Sequence, residues 1–436
     1  MEEAMSKRGK SFGKFLLLWS GQLISAIGSG LTSFGLGIHV FQQTGKASAM
    51  ALVTLLAFLP SLLLGAFAGV LADRYDRRLL MVLGDGLSAL GLVFILLCML
   101  GGEAQLWQIC VGVTLSSVFS SLLEPAYRAT VTDLLTEEQY TKASGLVQVA
   151  GSAKFLISPV IAGFLLTVSD VKLLLVLDIC TIFVTVITTL AVRSGLASKA
   201  SEQTKSFIRE FKDGWSAVSE NRGVFVLVIM TSVLTLFLGV IETLSIPMLL
   251  AFTDSSAVGT LETIVASGML VSSVLLGFLP IKKDYVKILS ISLFCVGVFM
   301  AGFGFRENMV LICISGFLFF AMMPFANASL DFLVRTNLDN SVQGRAWALI
   351  GILSQLGFVA AYAFSGLLAD YVFTPLLVEG GLLADSVGKI IGTGSGRGTG
   401  LLIIIAGMLL CMTSILLYHL KPVKKLEYGG DLCITE

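Results

Sequence analysis

The sequence predicts an all-α polytopic membrane protein of twelve transmembrane helices in two pseudo-symmetric six-helix halves. Three observations lead there. The 436 residues are 56% hydrophobic and 13% charged with a mean hydropathy of +0.91, far from the balance of a soluble globular chain. The apolar residues are gathered into runs of about 20, the length a helix needs to cross the hydrocarbon core. Short charged breaks separate these runs, and a charge left inside the hydrocarbon would cost a few kcal/mol.

The runs fall near 15–41, 47–71, 79–101, 105–125, 143–168, 171–193, 223–251, 257–280, 286–305, 309–331, 345–372 and 399–420. The first follows Lys7, Arg8, Lys10 and Lys14 without a small-residue cleavage site, so an uncleaved span is expected and not a signal peptide. Between the second and third, GAFAGVLADRYDRRLLM (65–81) places Asp73, Arg74, Asp76, Arg77 and Arg78 in a tight hairpin. Gly65 and Gly69 there form a small-xxx-small pair, which predicts close approach of another helix. Glu124 and Arg128 lie one turn apart at the inner end of the fourth run, and the fifth carries Lys154 near its centre. Pro159 removes a backbone bond and predicts a bend in that fifth helix.

The longest connection divides the chain into halves at 1–193 and 223–420, with a linker over 194–222 and a tail over 421–436. In the linker Phe207, Ile208, Phe211, Trp215 and Val218 recur at helical spacing among charges, which predicts an amphipathic helix at the membrane surface or against the bundle. The seventh run holds Glu242 in its outer half. Residues 373–399 join the last two runs, and their leucines and isoleucines predict an interfacial helix before a flexible GTGSGRGTG.

Lysine and arginine placement predicts orientation. The N-terminus, the even-to-odd loops and the tail carry 23 basic residues, whereas the opposite loops carry five: Lys46, Lys172, Arg306, Lys389 and Arg397. Both termini are therefore expected in the cytoplasm. Net charge is zero, which gives no footprint for a nucleic-acid partner. Six of seven cysteines lie inside apolar runs, and His39 and His419 are far apart, so no disulfide framework, metal site or cofactor is expected. No Gly-x-x-x-x-Gly-Lys-Ser/Thr motif is present to hold ATP. Weak internal similarity supports two parallel halves: GVLADRYDRR at Gly69 is echoed by GFLPIKKDYV at Gly277, with Ile281 where Asp73 would stand, and Ala162-Gly163 by Ser365-Gly366.

Twelve spans in two halves, with Gly69, Asp73, Arg74, Arg77 and Arg78 between the second and third, resemble the major facilitator superfamily. Its signature there is Gly-x-x-x-Asp-Arg-x-x-Arg-Arg/Lys, and Asp76 replaces the usual glycine. The resemblance implies that Asp73 latches against a helix start in the other half, near Gly344, where a carboxylate is favoured by free N–H groups and the helix dipole. In the fifth span Gly151, Ser158, Pro159, Ala162 and Gly163 resemble the segment that marks antiporters of this superfamily, with two of its glycines replaced. Gly21, Gln22, Ser25, Gly28 and Ser29, together with GLLADYVFTPLLVEGG, are similar to the drug-exporter branch typified by macrolide efflux proteins.

The resemblance implies a secondary transporter, not an enzyme, working as a monomer in the bacterial plasma (inner) membrane. It would export an amphipathic small molecule such as a macrolide in exchange for protons, by alternating access. Charges inside spans are the candidates for proton coupling or the substrate cavity: Glu242 is the first choice of coupling acid and Glu124 the second, with Lys154 and Arg128 beside them, while Asp178 in the sixth run is expected to sit peripherally and pair only locally. A siderophore or metabolite exporter of the same branch is the alternative. A membrane-embedded enzyme ranks below both, because it would need clustered His, Asp, Glu or Ser groups at one depth and the two histidines are far apart, and so does a non-transporting scaffold, which gives Lys154 and Glu242 no purpose.

Overall fold

A backbone in hydrocarbon must satisfy its own hydrogen bonds, and the described residues do so with helices. The computed structural model describes residues 11–193, 215–216, 218–278, 281–338 and 340–428. Among them are twelve helices long and apolar enough to cross a membrane, matching the twelve runs. Spans 1 to 6 are Phe12–Thr44, Ala47–Arg74, Arg77–Leu100, Leu106–Leu134, Tyr140–Val168 and Val171–Arg193. Spans 7 to 10 are Arg222–Leu250, Ser255–Phe278, Tyr285–Phe305 and Met309–Thr336. Span 11 runs over Asn340–Leu368, passes through a π-helical turn at Ala369–Phe373 and ends at Leu377; span 12 is Arg397–His419.

Two compact units result. The first holds spans 1 and 3 to 6, span 2 from Leu52 onward, and Ser255–Thr260 at the start of span 8. In it span 1 packs on spans 5 and 6, and span 3 on spans 4 and 6. The second holds Gly45–Ala51, span 7, the rest of span 8 and spans 9 to 12. There span 7 packs on spans 11 and 12, and span 9 on spans 10 and 12, the same pattern moved on by six helices. The internal similarity of the sequence is thus a similarity of packing.

Three local expectations change. A Cβ at Gly65 or Gly69 would meet nothing among the described residues within 4 Å, so the small-xxx-small pair does not admit a neighbour in this conformation. Within GTGSGRGTG, Arg397 already begins span 12 and is anchored: its side chain is 1% exposed, and its Nη2 donates to the carbonyls of Gly304 at 2.7 Å and Phe305 at 2.9 Å. Residues 373–399 form no single interfacial helix. Two short helical turns, Thr374–Leu377 and Gly388–Ile391, instead bury Leu377 and Ile391 against Leu401. Most of the expected linker helix, including Phe207, Ile208 and Phe211, lies outside the described residues; Trp215 is exposed and Val218 is buried.

Candidate functional site

The hairpin between spans 2 and 3 is built by its charges. Asp76, where the family pattern has glycine, caps span 3 by accepting the N–H of Arg78 at 3.1 Å. Arg77 donates from Nε to the Ala72 carbonyl at 3.2 Å, and from Nη1 to Asp133 at 2.8 Å at the end of span 4. Span 2 is thereby closed onto span 4, while Arg78 is buried and Arg74 exposed. Asp73 lies in the last turn of span 2, and its side chain is outside those described. Beneath the hairpin Phe15, Leu18, Ala72, Met81, Tyr127 and Leu134 form an apolar cluster that fixes where it stands.

Span 5 bends where the sequence requires it. Its helices Tyr140–Leu156 and Ser158–Val168 meet at Ile157, with Pro159 at the start of the second, where a missing N–H does least harm. Ser158 is buried, and its hydroxyl donates to the Ile27 carbonyl of span 1 at 2.9 Å. Ala162 is buried, and a Cβ at Gly163 would come within 2.6 Å of the Ser255 carbonyl. Gly259, one turn into span 8, lies against the Pro159 carbonyl. The antiporter-like residues Ser158, Pro159 and Gly163 therefore give a tight contact with spans 1 and 8. Gly151 takes no part in it, being exposed with nothing near a built Cβ.

The charged candidates separate by unit. In the second unit, Glu242 of span 7 accepts the hydroxyl of buried Tyr362 of span 11 at 2.8 Å. Spans 7 and 11 are held close enough for this by small residues. A Cβ at Gly239 would come within 2.5 Å of Ala361, and the Ser232 hydroxyl donates to the Leu353 carbonyl at 2.8 Å. Three residues beyond Glu242, the Ser245 hydroxyl donates to Glu262 of span 8 at 3.1 Å, which brings a second carboxylate to the same depth. In the first unit Lys154 is within electrostatic reach of Asp178 in span 6. Asp178 is 2% and Asp85 of span 3 is 3% exposed, and Asp85 Oδ2 has no hydrogen-bond partner among the described residues. Glu124 and Arg128 pair with one another at 2.7 Å on an exposed face. Among the described residues no cluster of potential metal ligands occurs.

Tyr362, Glu262 and Asp85 were not singled out from the sequence. An ionisable residue inside an apolar run is the signal that finds Asp85 and Glu262. Tyr362 gives no such signal, because a tyrosine is ordinary in a membrane helix until its partner is known.

Twelve helices in two equivalent six-helix units, with acids and a lysine placed inside them, define a polytopic membrane transporter. The chain belongs to the Major Facilitator Superfamily, whose profile matches residues 18–362. It is 26% identical over 354 residues to macrolide efflux protein A of Streptococcus pyogenes, covering 79% of this chain and 86% of that protein. It is 24% identical over 310 residues to the staphyloferrin A transporter of Staphylococcus aureus strain NCTC 8325 / PS 47, covering 68% of this chain and 75% of that one. The crystal structure of nucleoside transporter NupG shares the fold with a TM-score of 0.73 at 13% identity, covering 94% of this chain and all of that one.

Proposed function

We propose that the protein exports an amphipathic, macrolide-like small molecule in exchange for protons. It would do so as a monomer in a bacterial plasma membrane, with both termini in the cytoplasm and alternating access between its halves. The observation that carries the reading is the Glu242–Tyr362 contact. A phenol donating to an ionised carboxylate makes a stronger bond than one donating to a neutral carboxyl. Proton arrival at Glu242 therefore loosens span 7 from span 11, and proton loss tightens them again. Glu262, held by Ser245, adds a second carboxylate beside the first. The hairpin of Gly69, Asp73, Arg74, Arg77 and Arg78 serves as the latch between conformations. The span 5 contact through Ser158, Pro159 and Gly163 closes a leak path during the exchange.

The likeness to macrolide efflux protein A supports the substrate class. The likeness to the staphyloferrin A transporter keeps a siderophore or metabolite exporter as the second reading. The test is erythromycin susceptibility of an efflux-deficient bacterium, with efflux from energised vesicles under an imposed pH gradient. Wild type is expected to confer tolerance and proton-driven efflux, and Glu242→Gln to reduce efflux to background. Efflux by the Gln variant at the wild-type rate under the same gradient rejects the coupling role; no efflux by wild type rejects the macrolide.

A further inference from the structure

Two helices of the second unit begin side by side at the face of the termini, and both begin against the usual electrostatics. Span 7 opens with Arg222. After span 12 a short helix, Lys421–Tyr428, opens with Lys421 and carries Lys424 in the same turn. Neither helix has an acid in its first turn. The start of a helix is its positive end, so a cation there is repelled where an aspartate or glutamate would be held.

A glycine and two asparagines bring the two starts together. A Cβ at Gly223 would lie 2.6 Å from Leu426, so the missing side chain lets the short helix lie across the start of span 7. The Asn337 amide, just past the end of span 10, donates to the Leu426 carbonyl at 3.0 Å, and the Asn221 amide to the Asn337 carbonyl at 3.3 Å. Asn221 Oδ1 accepts the N–H groups of Gly223 at 3.0 Å and Val224 at 3.3 Å, so the first donors of span 7 are already satisfied. What is left without a partner is positive charge. An open cavity of about 700 Å³ lies there, lined by Arg222, Lys421 and Lys425, with Glu220, Asn221 and Asn337 beside them. Lys421 and Lys425 stand one turn apart on one side of the short helix. Among the described residues none of the three cations forms an ion pair. The acid of the lining, Glu220, accepts the Ser216 hydroxyl at 2.9 Å. A general excess of lysine and arginine on this face accounts for cations, but not for three of them meeting in one cavity without a counter-charge.

We propose that this cavity binds the phosphate headgroup of an anionic phospholipid. The Arg222 guanidinium offers a fork to two phosphate oxygens, and each lysine adds a compact charge. A bound phosphate supplies the negative charge that both helix starts lack. A lipid is favoured over a soluble phosphate by position. The cavity lies where spans 7, 10 and 12 leave their apolar segments, which is headgroup level, and basic pockets between membrane helices at that level are suited to anionic lipids. Spans 7 and 12 also expose Ile229, Met412 and Leu416 one to three turns deeper, at the depth of the acyl chains. The lipid would fasten the short helix to the start of span 7 and the end of span 10, all within the second unit. The site depends neither on the molecule carried nor on which way the protein faces.

The test titrates the purified full-length protein in a neutral detergent with phosphatidylglycerol or phosphatidylcholine and counts bound lipids by native mass spectrometry. Wild type is expected to retain phosphatidylglycerol and not phosphatidylcholine; equal retention of the two overturns the site. Each of Arg222→Gln, Lys421→Gln and Lys425→Gln is expected to weaken binding about fivefold, the scale of one cation at a lipid surface, and the triple variant about a hundredfold. A second triple variant, Lys282→Gln with Lys283→Gln and Lys287→Gln, removes three cations of the same face that do not line the cavity, and should bind as wild type does. Equal loss in the two triple variants means diffuse attraction to the face and overturns the site. The three lining cations are exposed, so their single variants keep the fold, which wild-type melting in lipid-free detergent verifies. Displacement of the lipid by inorganic phosphate at equal concentration identifies a soluble phosphate as the ligand and overturns the lipid. Phosphatidylglycerol bound only after removal of residues 429–436 overturns it too, because Asp431 and Glu436 of the tail would then be the anions that fill the cavity.

Discussion

Arg397 shows how one residue can reverse a reading. Flanked by glycines, it looks like a loop charge, yet its guanidinium is buried under the last turn of span 9. There it donates to two carbonyls that no helical N–H reaches. A cation at a helix C-terminus is favoured by the dipole, and the planar fork can serve two acceptors at once. Arg397→Met leaves both carbonyls unpaired and is expected to destabilise by about 1.5–3 kcal/mol, the usual range for hydrogen bonds to a charged group. Arg397→Lys restores the charge but not the fork and falls between. Thermal unfolding of the purified protein checks the order wild type, Lys, Met; a Met variant that melts with wild type refutes the capping role. The contact joins residues 93 apart in sequence, so no local pattern could announce it. Glu242 and Lys154 were legible because a charge in an apolar run is conspicuous by itself. What each touches was not, since Tyr362 and Asp178 become partners only once spans 7 and 11, or 5 and 6, are set side by side.

At the scale of elements, periodicity and hydropathy were enough for all twelve spans, because length and apolarity are local properties. The bend in span 5 was legible for the same reason, Pro159 being its own signal. The short helix after span 12, Lys421–Tyr428, was not, since its eight residues gain their helical order from docking. Val423 and Leu426 are buried, a Cβ at Gly223 would lie 2.6 Å from Leu426, and the Asn337 side-chain amide donates to the Leu426 carbonyl at 3.0 Å. Glu427 is drawn in with them. Burial pushes its carboxyl above the ordinary glutamate range and the charge of Asp284 pushes the same way, against the N–H groups of Val286 and Tyr285, which favour the ionised form. The docked helix therefore binds the proton more tightly than the free one does. Its contribution is complete below the ordinary glutamate pKa and is lost as pH rises through the raised value. Hydrogen exchange over Lys421–Tyr428, corrected for intrinsic rates, is expected to lose protection over that rise in wild type. In Glu427→Gln it should stay protected throughout, and equal slopes in the two proteins would exclude Glu427 as the source.

For the whole molecule, orientation is set by where positive charge cannot go. Lysines and arginines beside short loops are retained on the cytoplasmic side during insertion, and the proposed cytoplasmic placement of both termini rests on the 23-to-5 asymmetry. The buried position of Arg397 sharpens that argument, because a guanidinium folded under span 9 is not a free loop charge once the unit has formed. The far-face loops then hold Lys46, Lys172, Arg306 and Lys389 one to a loop, whereas Lys282 and Lys283 between spans 8 and 9 are joined by Lys287 in the first turn of span 9. Orientation also decides the sense of the proposed latch: Asp73 would act at the cytoplasmic face, and in an inverted chain at the outer one. In a cysteine-free background, Glu307→Cys is expected to react with a membrane-impermeant maleimide in intact cells. Lys283→Cys should react only after permeabilisation, because its loop lies on the same side as both termini. The reverse pattern would place the termini outside and move the Asp73 hairpin to the outer face, inverting its place in the export cycle.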